Sequence, residues 1–122
     1  MQTEILARPA AAVARLTMSR GETITCEVGA MVAMSTGFQV ETTTRQRGGG
    51  GLGAGGKRMV AGENFFLNKF TAHEDGEHLI VGPTLVGDLI HHRLTNGTLI
   101  VQGSSWLASG PGVEIDASFQ GL

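Results

Sequence analysis

The sequence predicts an all-β domain with double-layered packing, and three observations predict it. The stretch from Thr23 to Thr43 recurs without gaps from Thr98 to Ser118, at an offset of 75 positions. Short apolar segments alternate with polar residues at period two, the mark of strands with one face buried. Turn residues are abundant: 19 glycines in 122 residues is about double the usual ~7 % share.

The duplication is physical rather than literal. Only Thr23, Ala33 and Gly37 are identical to their counterparts. Ile24, Cys26, Val32 and Ala33 nevertheless face Leu99, Val101, Leu107 and Ala108, and Gly37 to Glu41 faces Gly112 to Asp116. Each copy reads as an alternating strand, a short apolar strand, a glycine turn and an alternating strand ending in a carboxylate. Repeated units of this kind bury each other's apolar faces. A glycine tract and the phenylalanine-rich segment Gly62 to Thr71 follow the first copy, and little follows the second. The chain therefore reads as one domain over residues 1–122, with a first repeat over about 1–75 and a partial second over about 76–122.

Element by element, Val13 to Met18 and Thr23 to Val28 read as strands around the turn Ser19-Arg20-Gly21. Met31 to Ser35 follows a break at Gly29. In Phe38 to Thr43, Phe38 and Val40 share one face while Gln39 and Glu41 share the other. In Asn64 to Phe70, Phe65 and Leu67 face one way and Phe66 and Phe70 the other, as in a strand covered on both sides. That pattern leads us to expect Phe66→Ala to cost about 3–5 kcal/mol. Leu89 to Leu94 and Thr98 to Val101 are joined through Asn96-Gly97, a strong hairpin signal. Val113 and Ile115 point inward in a final strand. One helical turn is predicted, around Lys57 to Ala61.

Composition excludes several function classes. A net charge of −2 gives no general electrostatic case for nucleic acid or an anionic membrane. The amino terminus lacks the basic and apolar regions of a signal peptide, and no run reaches the ~18 apolar residues of a spanning helix. A cytoplasmic protein is expected. The single cysteine, Cys26, cannot form an internal disulfide and is expected to be a buried, inert thiol.

The succession Glu27 to Ser35, Gly48 to Lys57, Ala61 to Asn68, Leu107-Ala108-Ser109 and Pro111 to Asp116 resembles the altered-inheritance-of-mitochondria protein 24 family, in motif order and over nearly the whole chain. The resemblance implies a fold similar to the tryptophan RNA-binding attenuation protein: a short double-stranded β-helix or β-sandwich, internally duplicated, that assembles into symmetric oligomers. It also implies an organising role at membranes, as in mitochondrial relatives. Family members of full length continue through a second glycine and phenylalanine segment, so this chain reads as lacking the C-terminal half-repeat.

Candidate chemical sites are weighed against plainer readings. Gly51, Gly53 and Gly56 satisfy G-x-G-x-x-G, and Gly51, Gly56 and Lys57 nearly satisfy a phosphate loop, but Arg58 stands where Ser or Thr should bind magnesium. Both motifs need a parallel βαβ unit, so residues 48–56 read as a loop. Arg45, Arg47, Lys57 and Arg58 bracket it and form a candidate anion-binding edge. His91 and His92 are adjacent in an expected strand and would leave opposite faces. His73 and His78 straddle the polar turn Glu74 to Glu77. Zinc wants about four ligands, so no metal and no cofactor is expected. Ser104, Ser105 and Ser109 lack a nucleophile elbow, and Asp88 and Glu63 read as turn residues, so no enzyme is expected. Trp106, aligned with Met31, is either a core anchor or, with Val113, Ile115 and Phe119, an interface.

The expected function is a non-enzymatic, self-associating β-scaffold or binding module, possible settings including a membrane surface. A small-molecule or RNA-binding module is the alternative, and an unrecognised enzyme the third. The expected partner is a second copy in a homo-oligomer, by strand exchange around Gly112 to Leu122, because open edges recruit strands.

Overall fold

A computed structural model describes residues 1–46 and 64–116. Eight strands form two four-stranded antiparallel sheets. They are β1 (Gln2–Leu6), β2 (Val13–Met18), β3 (Thr23–Glu27), β4 (Met31–Met34), β5 (Phe38–Gln46), β6 (Asn64–Ala72), β7 (Glu77–Val81) and β8 (Ala108–Ser109). The first sheet has the order β1-β2-β7-β4 and the second β5-β6-β3-β8. The all-β, two-layered expectation is met.

Alternation builds the core. In β2 the buried residues are Ala14, Leu16 and Met18, with Arg15 exposed between them. Cross-strand partners share a face, so Leu79 and Val81 of β7 join Leu16 and Ala14 on the inner side. The other sheet contributes Ile24, Cys26, Phe70 and Ala72, and Phe38 packs edge to face on Phe70 with ring centroids 6.2 Å apart. Short connections through Ser19 to Glu22, Ser35 to Gly37 and His73 to Gly76 stack β2 over β3, β4 over β5 and β7 over β6. Gly29, at φ +90°, supplies the left-handed turn that carries the chain from one sheet to the other between β3 and β4.

Both strands that the sequence reading did not predict depend on tertiary partners. β1 pairs with β2 over five residue pairs, from Gln2↔Thr17 to Leu6↔Val13. β7 lies between β2 and β4, so Glu77 and His78 belong to a strand and only His73 to Gly76 form the turn.

β6 is an inner strand as expected, with Leu67 buried on one side and Phe70 on the other. Phe66 corrects the expectation placed on it. It lies on the same face as Phe70, yet is 55 % exposed. The cause is length: β5 and β6 have nine residues each, whereas strands of the facing sheet have four to six. At ~3.3 Å per residue the ribbon overhangs its cover by roughly 10 Å.

The second copy of the repeat differs more. No strand forms at Leu89 to Leu94, at Thr98 to Val101 or at Val113 to Ile115. Asn96 takes a positive φ of 52°, but Gly97 does not, so the two-residue hairpin turn is not made. A hairpin without a further strand or a face to pack on is marginal. What does form is β8, and Ala108–Ser109 is the offset-75 counterpart of Ala33-Met34 in β4. β4 and β8 both occupy edge positions, in opposite sheets. The helical turn predicted at Lys57 to Ala61 lies outside the described residues.

Candidate interaction surface

The stretch between β7 and β8 carries no strand and, apart from one 3-10 turn at Gly103–Ser105, no regular structure. Loops beyond about 12–15 residues are uncommon in compact domains and are usually functional or disordered. This one is a strap fastened at both ends. Near its start the Ala12 N–H donates to the Gly87 carbonyl at 2.8 Å. Arg8 donates two hydrogen bonds to the Asp88 carboxylate, from Nε at 2.9 Å and Nη2 at 3.0 Å. These bonds from the guanidinium hold the Asp88 carboxyl below the usual range, and the Leu89 N–H adds to them. Leu89 packs against the core. At the far end the Glu27 N–H donates to the Leu107 carbonyl at 2.9 Å.

Between these anchors the strap turns Ile90, Leu99, Ile100 and Val101 to solvent, Ile100 by 78 %, and Leu85 and Val86 are exposed just before the first anchor. Single exposed apolar residues need no explanation, but here they run consecutively in the chain, at Leu85-Val86 and at Leu99-Ile100-Val101, and large exposed apolar patches mark interaction surfaces. A second apolar set lies along β4, where Met31 and Met34 flank Val32, itself 61 % exposed. A β-bulge between Met31 and Ala33 breaks the register with β7 there.

A polar latch positions β4. The Ser35 hydroxyl donates to Glu77 Oε1 at 2.5 Å and accepts from the His78 N–H at 2.8 Å. The Gly37 N–H donates to the same carboxylate oxygen at 3.1 Å. A Cβ at Gly37 would collide with the Glu77 carboxylate, so the latch requires glycine there. His78 Nδ1 lies 3.3 Å from Thr17 Oγ1. These groups fix the β4–β5 connection.

The residues named as candidates from sequence are scattered. Arg45 lies in β5, in register with Phe65, while Arg47, Lys57, Arg58 and the tract 48–56 lie outside the described residues, as do Glu63 and Phe119. Trp106 is half-buried, outside the core cluster, and its indole Nε1–H donates to Ser109 Oγ at 2.6 Å. Its repeat counterpart Met31 is likewise at an edge, so neither is the large core anchor considered from sequence. Val113 is exposed and Ile115 partly buried, neither in a strand. His91 and His92 are exposed and off any strand, which removes the opposite-face argument made for them. Among the described residues no three His, Cys, Asp or Glu side chains converge to hold a metal ion. Sequence reasoning missed the strap and the edge as one problem, because their strand-like patterns read as already paired.

Cys26 is 0 % exposed, and burial pushes its thiol up to about 12 from an ordinary 9.0. A raised folded value means that this contribution to stability is intact below the unfolded value. It is lost as pH rises from about 9 toward about 12. We expect a thiol reagent to label native Cys26 only as fast as the domain opens, and complete labelling within the mixing time would contradict this burial.

The family model described as mitochondrial biogenesis AIM24 matches residues 3–122. The chain belongs to the AIM24 family. No curated protein and no solved structure matches it. No helix among the described residues is long and apolar enough to cross a membrane. For this AIM24 chain, then, the fold rests on its two sheets, and the surface with unmet physical requirements is the strap with the β4 edge.

Proposed function

We propose that this AIM24 chain is a non-enzymatic, self-associating β-scaffold. The observation that carries it is the uncovered apolar surface of the strap and of β4, far from the guarded, polar surface of a solitary domain. A scaffold role also suits the family description, since mitochondrial biogenesis names a process and not a reaction. The polar groups near β4 are spent on structure: Glu77, Ser35 and Gly37 satisfy one another. In our reading the protein works in the cytoplasm, where reducing conditions keep a lone cysteine such as Cys26 a thiol, and it organises assemblies, at membrane surfaces among other places.

Light scattering coupled to size exclusion at low micromolar concentration tests the proposal. We expect a mass that is a multiple of 12.7 kDa. A cooperative, stable species of 12.7 kDa at every concentration would contradict it.

A further inference from the structure

The two sheets leave four edges, β1 and β4 on one and β5 and β8 on the other. Natural sheets blunt their edges with charge, proline, bulges or short length. β1 carries Glu4, bridged across to Arg15. β5 carries Glu41 and Arg45, and β8 has only two residues. β4 has neither charge nor proline, and its bulge turns Val32 outward instead of shielding it. It is the least guarded of the four.

The strap presents the converse. Thr98 to Val101 has the composition of a strand, exposed apolar side chains at Leu99, Ile100 and Val101, and no strand partner among the described residues. The strap is anchored at Gly87 and Leu107, and among the described residues no backbone hydrogen bond joins it to its own β4 edge. The chain is uncharged from Val28 to Val40 and again from Leu94 to Val113, so no charge must be buried if the two meet. The lengths agree as well, since β4 has four residues and the strap segment spans the same number. One chain thus holds a sheet edge lacking a strand and a strand lacking a sheet.

We propose that Thr98 to Val101 of one copy adds as a further strand along β4 of a second copy, its apolar side chains packing beside Met31, Val32 and Met34. This inference rests on the self-association proposed above and specifies its surface. Strand addition supplies main-chain hydrogen bonds, and the alternate side chains supply specificity. Because edge and strap are different parts of the chain, the contact is heterologous, and successive copies either close a ring or extend. Association is therefore complementary: each copy gives a strap and receives one.

Val32→Lys spoils only the receiving edge, and Ile100→Lys only the strap. Both positions are exposed, so each variant should fold, as checked by its unfolding transition. We expect each variant alone to run as a 12.7 kDa monomer under conditions where the parent is assembled. An equimolar mixture should form a discrete heterodimer, the Val32→Lys copy lending its strap to the Ile100→Lys copy. A monomeric parent would overturn both this inference and the scaffold reading. An assembled parent with both variants equally assembled would overturn this contact and leave self-association standing. Monomeric variants that do not complement each other would overturn the heterologous pairing in favour of a twofold contact. Should a lysine variant not fold, Val32→Thr and Ile100→Thr replace the pair. Each should then raise the dissociation concentration at least about tenfold, and an unchanged value would overturn the contact.

Discussion

Phe70→Ala is expected to destabilise the domain by about 3–5 kcal/mol, the usual range for deleting a buried phenylalanine side chain. Phe70 is 1 % exposed, lies opposite Ile24 and Val40 in adjacent strands, and receives the edge of Phe38. Removing the ring opens a cavity between the two sheets and also leaves Phe38 without its aromatic neighbour. Phe66→Ala, two turns of the pleat away on the same strand face, should cost about 1 kcal/mol or less because it already meets solvent. Urea unfolding at one fixed protein concentration measures both, since any association couples apparent stability to concentration. Equal losses from the two substitutions would mean that the ribbon is covered along its whole length.

The second large effect belongs to the latch. Glu77→Ala removes the acceptor shared by the Ser35 hydroxyl and the Gly37 N–H. Hydrogen bonds to a charged group contribute about 1.5–3 kcal/mol, and partly buried donors left without partners add a desolvation cost. A loss of about 2–3 kcal/mol is expected, with increased exchange of the Ser35 and Gly37 amides. Gly37→Ala should reproduce part of it, because its methyl group displaces the same carboxylate. If Glu77→Ala unfolds like the parent and those amides remain protected, the latch is incidental and the β4–β5 turn is held by packing alone.

Much of the fold was legible because alternation is a local signal. β2, β3, β4 and β5 fall close to where Val13, Thr23, Met31 and Phe38 begin apolar alternation, and the break at Gly29 is a left-handed turn. β1 escaped notice because Gln2-Thr3-Glu4 is polar and is held as an edge strand by pairing with β2. β7 escaped for a different reason: His78 and its neighbours read as a turn until β2 and β4 close around Leu79 and Val81. Phe66 shows the limit of a periodic pattern, which names the face of a strand but not how far the opposing sheet extends. The same limit applies to Leu99 to Val101, whose pattern states that a strand would be favourable and leaves open which chain provides its partner. Of the surface, the apolar composition was visible in sequence. Its exposure was not, because exposure depends on which edges the topology leaves free.

In the proposed assembly the strand-like segment of the strap becomes paired only when copies associate. Backbone hydrogen exchange of Leu99, Ile100 and Val101, followed over a dilution series, tests it most directly. Protection at high concentration that is lost on dilution, in step with the fall in mass and together with exchange at the β4 edge, is the predicted result. Exchange at the rate of an unstructured peptide at every concentration would contradict it, and so would protection that persists unchanged in the 12.7 kDa monomer.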